Sequence, residues 1–242
     1  MKAILIGFKE EGKIFSAQIS LPKQDSSGKV PLVVIVHEWW GRTPYIEDRS
    51  YMLNQEGFAT LAVDLYGNNQ TVGPPSEAQS LATPFYQNPR LGFGRLKRFV
   101  DAAKADPRVD SSRIFVIGYC FGGTQALNFA RAGESVKGVV SFHGGLAAGI
   151  PANGIQARIL AFNGLADPMV PAKERKAFEK EMKAAKADLK VFSYQGATHA
   201  FTNPAATEIG KKFQIPVAYN AKADAASWKE LLKFLRGPPP AE

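Results

Sequence analysis

The 242-residue chain holds a single cysteine, Cys120. One thiol excludes an internal disulfide and gives no sign of oxidising export. Histidine is nearly as scarce. The three, His37, His143 and His199, are separated by long stretches. With no H-x-x-x-H and no C-x-x-C spacing they make no metal-ligand cluster in sequence, and neither a metal nor an organic cofactor is expected. No run reaches the roughly 18 apolar residues of a membrane-spanning helix. The apolar stretch after Met1 is too short for a signal peptide, so a cytoplasmic location is the expectation.

Acidic residues are outnumbered, 22 against 30 Lys and Arg, which leaves a formal charge of +8. Such a surplus attracts anions, nucleic acid included. Here the basic residues are dispersed and no nucleic-acid motif accompanies them, so no nucleic-acid partner is expected. The densest run, Lys173 to Lys190, is interleaved with Glu174, Glu179, Glu181 and Asp188 and reads as a solvated helix face.

What the chain does have is apolar substance, 45% of its residues, enough for the core of one α/β domain spanning 1–242 with a frayed end from about 236. Residues 3–8 and 13–20 predict an antiparallel hairpin across Glu10, Glu11 and Gly12. A polar loop follows at 24–28. From residue 31 strands alternate with helices: strands at 31–36, 58–63, 114–117, 136–142, 158–162 and 189–194, helices at 44–56, 91–105, 124–132, 172–187 and 221–235. That alternation predicts a mostly parallel sheet with helices on both faces. Residues 67–91, with Gly73-Pro74-Pro75, Pro84 and Pro89, read as the most irregular region, a lid or cleft rim. A loop with Pro204 and Pro216 precedes the last helix.

Residues 112–124 read Ser-Arg-Ile-Phe-Val-Ile-Gly-Tyr-Cys-Phe-Gly-Gly-Thr: a buried strand, a tight turn, then a helix, with Cys120 at the apex. The spacing G-x-C-x-G is the thiol version of the G-x-S-x-G nucleophile elbow. The turn throws the cysteine side chain outward, and flanking glycines let strand and helix approach without a Cβ clash. The helix aims its N-terminal dipole at the sulfur, which favours a thiolate and an oxyanion. An inert buried cysteine or a phosphate-cradling loop are the competing readings. The strand before and the helix after agree better with the elbow.

A thiol nucleophile needs a base, and the base an orienting acid. Glu38, Cys120, Asp167 and His199 each follow a predicted strand and belong on one rim of the sheet, where open α/β sheets collect function. The elbow architecture orders its set nucleophile, acid, histidine, which Cys120, Asp167 and His199 obey. His37 and His143 come too early for the base and read as hydrogen-bonded structural histidines. Asp64, the rival acid, reads as a turn-fixing carboxylate. The amides of Phe121 and Trp39 are the candidate oxyanion donors, with Glu38 and Trp40 as alternatives to Trp39. Trp39, Trp40, Phe121 and Phe201 are candidates for an apolar wall, against plain core packing. Glu38 is the odd residue, because a carboxylate repels a neighbouring thiolate. Its other reading is a surface loop glutamate.

Together these stretches resemble the dienelactone hydrolase family of α/β-hydrolases: Val-His-Glu-Trp-Trp-Gly, Ala-Val-Asp-Leu-Tyr-Gly, Gly-Tyr-Cys-Phe-Gly-Gly, Asn-Gly-Leu-Ala-Asp-Pro-Met-Val-Pro and Gly-Ala-Thr-His-Ala-Phe, spread from about residue 30 to 205. The resemblance implies an α/β-hydrolase fold and a Cys120, Asp167, His199 triad. It also implies a gating role for Glu38, which takes the thiol proton when substrate turns the sulfur into line. The founding members hold a substrate carboxylate with a serine and an arginine at positions that fall here on Ala200 and Asn203. That clamp is missing at that place, and Arg42, Arg90 and Arg95 are the candidates to replace it. The expectation is therefore a hydrolase of small carboxylic esters or lactones less polar than dienelactone. Two other readings stay open: a catalytically weak ligand-binding or interaction protein, and a redox thiol enzyme, which the lack of a resolving cysteine disfavours.

Overall fold

The computed structural model describes residues 4–22, 28–147 and 149–237. Most of the expected loop at 24–28 and the tail beyond 237 lie outside the described residues. The chain runs β1 (Ile4–Glu10), β2 (Lys13–Ser20), β3 (Val30–Val36), α1 (Pro44–Gln55), β4 (Ala59–Val63), α2 (Pro75–Gln87), α3 (Pro89–Lys104), β5 (Val109–Tyr119), α4 (Phe121–Arg131), β6 (Gly138–Phe142), β7 (Arg158–Gly164), α5 (Ala172–Ala184), β8 (Leu189–Tyr194), α6 (Ala206–Phe213) and α7 (Ala221–Arg236).

The strands form one sheet in the order β1-β2-β4-β3-β5-β6-β7-β8. β1 and β2 are the expected hairpin, and β2 joins β4 antiparallel. Every pairing from β4 to β8 is parallel. Strands buried on both faces alternate their side chains between two cores. Leu32, Val34, Val36, Ile114 and Val116 enter a core covered by α2, α3, α4 and α5, with Phe85, Phe99, Leu127 and Phe178 packed on it. Val33, Ile35, Phe115 and Ile117 enter the opposite core, closed by Ile46 and Leu53 of α1 and Leu231 and Phe234 of α7. No helix of the described residues is long and apolar enough to cross a membrane.

Register sets where the site lies. Val36 pairs with Val63 on one side and Gly118 on the other, Tyr119 pairs with Phe142, and Gly164 with Tyr194. The parallel strands therefore stop at nearly one level. The segments after β3, β5, β6, β7 and β8 emerge together along one edge.

Two regions differ from the expectation. Residues 67–91 are not chiefly loop: they contain α2, and α3 starts at Pro89. Pro75 and Pro89 each stand in a first helical turn, where the missing N–H has no intrahelical partner to lose. Only Pro84 sits inside a helix. The loop expected after His199 holds the short helix α6, with Glu208 in its first turn and Lys211 and Lys212 in its last, the charge order that suits a helix dipole.

Candidate active site

Cys120 joins β5 to α4 with φ 54° and ψ −117°. A side-chain-bearing residue held there stores strain on the order of 1–3 kcal/mol, which the surrounding packing must offset. The packing leaves no room for relaxation. A Cβ on Gly118 would lie 2.0 Å from the carbonyl oxygen of Gly122, and one on Gly122 would lie 2.3 Å from that of Val36. The N–H of Phe121 is the first of α4 and has no acceptor within the helix.

The Cys120 N–H donates to the carbonyl of Phe142 at 3.0 Å and to Nδ1 of His143 at 3.2 Å. Because His143 accepts at Nδ1, its proton sits on Nε2, which donates to Oγ1 of Thr202 at 2.7 Å. Thr202 shares a further 2.6 Å hydrogen bond with the hydroxyl of Tyr45. Burial, with repulsion from His199 and Arg49, holds His143 well below its ordinary pKa, so the ring is neutral. His143 thus ties the backbone of the elbow to the segment that carries His199.

His199 follows β8 and is buried. Its Nδ1 lies 2.8 Å from Oδ2 of Asp167, whose other oxygen accepts the N–H of Met169 at 2.8 Å. The carboxylate holds the Nδ1–H and so leaves Nε2 turned away from Asp167. Nε2 is buried, and no nitrogen or oxygen of the described residues bonds it. Burial alone would lower the His199 pKa. Attraction to the Cys120 sulfur, and hydrogen bonds to Asp167 and to that sulfur, outweigh it and raise the pKa to about 10. The sulfur is therefore the neighbour that the free side of the ring faces.

Glu38 is not a surface loop glutamate. It is 1% exposed, and Nδ2 of Asn203 donates to its Oε2 at 2.7 Å. Burial raises its pKa to about 7, against the opposing pull of Asn203, His199 and Arg49. Arg49 donates to the Thr202 carbonyl and, at 2.7 Å, to Asp224, so α1 and α7 brace the segment after His199. Backbone strain gathers here as well: His143 has φ 40° and Ala200 φ 57°.

The rivals are occupied elsewhere. His37 donates from Nδ1 to the Glu38 carbonyl at 2.6 Å and accepts the Leu65 N–H at 3.2 Å. Asp64 accepts the N–H groups of Tyr66, Gly67 and Asn69, fixing the turn after β4.

Two cavities meet at Trp39, Cys120, Met169 and His199. One, of about 120 Å³, is walled by Trp40, Ala206, Ile209, Ile215 and Val217, with Glu38 and Asn203 at its side. The other, of about 410 Å³, is walled by Phe85, Tyr86, Phe121, Thr124, Asn128 and Glu174. Trp39, Trp40 and Phe121 thus line the space expected of them. Phe201 does not: it is fully buried and packs its ring on His143 at 5.1 Å and Tyr194 at 5.6 Å. Among the described residues, no arginine or lysine lines either cavity. Arg42 pairs with Glu47 and Arg95 with Glu10, so neither replaces the missing clamp, and Arg90 is exposed outside both cavities. Among the described residues, no group of three or more His, Cys, Asp or Glu is arranged to hold a metal ion.

Sequence reasoning did not find Thr202, Tyr45 and Arg49, or the partnership of Asn203 with Glu38. Only Asn203 carried a signal, as the residue at the position of the missing arginine. The walls from α2 and α6 were hidden with those helices.

The sequence profile of the dienelactone hydrolase family matches residues 15–237. A crystal structure of a dienelactone hydrolase-like promiscuous phosphotriesterase from metagenomic libraries is 30% identical, covers 97% of each chain and superposes with a TM-score of 0.87. "Protein usf" of Aquifex pyrophilus is 28% identical, covering 94% of this chain and 98% of its own. A Bradyrhizobium protein named "Probable 2-oxo-3-(5-oxofuran-2-ylidene)propanoate lactonase" is 26% identical over 87% of this chain and 85% of its own. With its eight-stranded sheet and its segments gathered at the strand ends, the chain is an α/β-hydrolase-fold hydrolase and belongs to the dienelactone hydrolase family.

Proposed function

We propose that the protein hydrolyses carboxylic esters or lactones with Cys120 as the nucleophile. One observation carries the reading: His199, buried and held through Nδ1 by Asp167, turns Nε2 to a cysteine fixed in strained backbone at the head of a helix. No nitrogen or oxygen of the described residues bonds Nε2, so its partner is to be sought among the reacting groups. The name of the Bradyrhizobium relative supports a lactone or ester as the bond broken.

In this reading the Cys120 sulfur attacks the carbonyl carbon. The amides of Phe121 and Trp39 hold the oxyanion. The leaving oxygen takes a proton from Nε2 of His199, and a thioester remains. A lactone opens at this step, and its hydroxyl stays on the acyl chain. Nε2 then takes a proton from water, whose oxygen attacks the thioester, and the acid departs as the sulfur is restored. Asp167 holds the ring and stabilises its charged form. Glu38, titrating near neutrality, takes the thiol proton as substrate seats. Cavities without a cation favour substrates that carry no carboxylate.

The test is Cys120→Ala against p-nitrophenyl acetate, with mass spectrometry of the wild type during a slow ester. Hydrolysis is expected to vanish in the variant, and a transient acyl adduct to appear on Cys120. Wild-type turnover in the variant would overturn the assignment. Tight ligand binding with neither adduct nor turnover would mark a ligand-binding protein instead.

A further inference from the structure

We propose that the larger cavity receives the end of the substrate that bears a hydrogen-bond-donating group, an ammonium best and a hydroxyl next, and turns a carboxylate away. This rests on the ester-hydrolase reading and adds to it a substrate class.

The walls supply a carboxylate and aromatic faces, with no lysine or arginine among the described residues. Glu174, in the first turn of α5, is pinned through one oxygen: its Oε1 accepts the N–H groups of Leu146 at 2.5 Å and Ala147 at 3.1 Å. Its Oε2 receives no hydrogen bond, and no lysine or arginine forms an ion pair with it, among the described residues. Asn128, 1% exposed, has its Oδ1 sealed from the cavity and supplies no acceptor to it. The Thr124 hydroxyl already donates to the Gly145 carbonyl at 3.1 Å, so it is not the donor that Glu174 lacks. Phe85 and Tyr86 meet Phe121 edge to face at 5.1 and 6.1 Å, forming a wall that suits the hydrocarbon or cationic part of a ligand. An unpaired carboxylate oxygen beside an aromatic wall selects a donor group, a cationic one above all. A ligand carboxylate would meet Glu174 with like charge.

The experiment uses unreactive ethers of equal length ending in ammonium, hydroxyl, methyl or carboxylate. Their binding is followed through protein tryptophan fluorescence, since Trp39 borders both cavities. The ammonium ether is expected to bind at least about tenfold more tightly than the carboxylate ether. Glu174→Gln, which keeps an oxygen for the Leu146 and Ala147 amides, is expected to shrink that ratio. The ratio is taken within each protein, so a general loss of folding does not mimic the result. Equal binding in the wild type, or an unchanged ratio in Glu174→Gln, would overturn the proposal. Because binding needs no turnover, the corresponding esters test hydrolysis separately: no cleavage of any of them sinks the hydrolase reading and leaves the binding result to stand or fall alone.

Discussion

One buried imidazole touches the backbone of Cys120 and another faces its sulfur, with ring centroids 5.4 Å apart. On the backbone side His143 uses both nitrogens, stays neutral and locks the elbow to Thr202. On the sulfur side His199 gives one nitrogen to Asp167, turns the other toward Cys120, and is driven toward protonation. Burial is nearly the same for both. What separates scaffold from candidate chemistry is which groups each ring bonds, backbone and hydroxyl or carboxylate and thiol, and the charges each ring sees. His37, also saturated, falls with His143.

The comparison breaks most visibly at His199. His199→Asn or Asp167→Asn is expected to lower kcat by about a thousandfold or more, because one removes the proton carrier and the other its tautomer. Steady-state kinetics on p-nitrophenyl acetate read this directly. An unchanged kcat in either variant would erase the distinction between the two rings.

Glu38 sharpens the sulfur side. With its pKa raised to about 7, kcat/KM is expected to climb as pH rises through that value, and Glu38→Gln to lose the inflection with about a tenfold fall or more at pH 8. Stability carries the opposite sign. The folded protein holds this proton more tightly than the unfolded chain, so the contribution is full below the ordinary pKa of 4.5 and is lost as pH rises through about 7. Above pH 7 the Gln variant should be the more stable by about 3 kcal/mol, read from urea unfolding. A wild-type slope retained in the variant would assign the titration to another group.

The smallest effect belongs to the backbone side. His143→Asn leaves the Cys120 N–H and the Thr202 hydroxyl without the ring. It should cost about 2 kcal/mol of stability and about tenfold in kcat. The pH profile is expected to keep its shape, since a neutral ring contributes no titration. A shifted profile would move His143 into the chemistry.

Much of this was legible in the sequence, for identifiable reasons. The central strands showed as unbroken apolar runs because both their faces are buried, and the elbow showed because its geometry tolerates few residue types. The chain order of Cys120, Asp167 and His199 then named the three side chains that the fold brings to one edge. Helix α2 stayed hidden because Pro75, Pro84 and Pro89 read as breakers, although two of them start helices. Helix α6 stayed hidden because its eight residues carry too little periodicity to rise above the prolines around it. The condition of Glu38 depends on Asn203, which is 165 residues away in the chain, and no local pattern encodes that contact.

The crossing of α4 over β3 has a consequence for how such a protein can vary. At Gly122 even one added carbon would collide with the neighbouring main chain, so the path of the turn is sealed against drift. The atom at its crest is not. If Cys120 is the nucleophile proposed above, oxygen in place of its sulfur adds no atom to the turn, so a lineage can exchange its reagent far more easily than the mount that presents it.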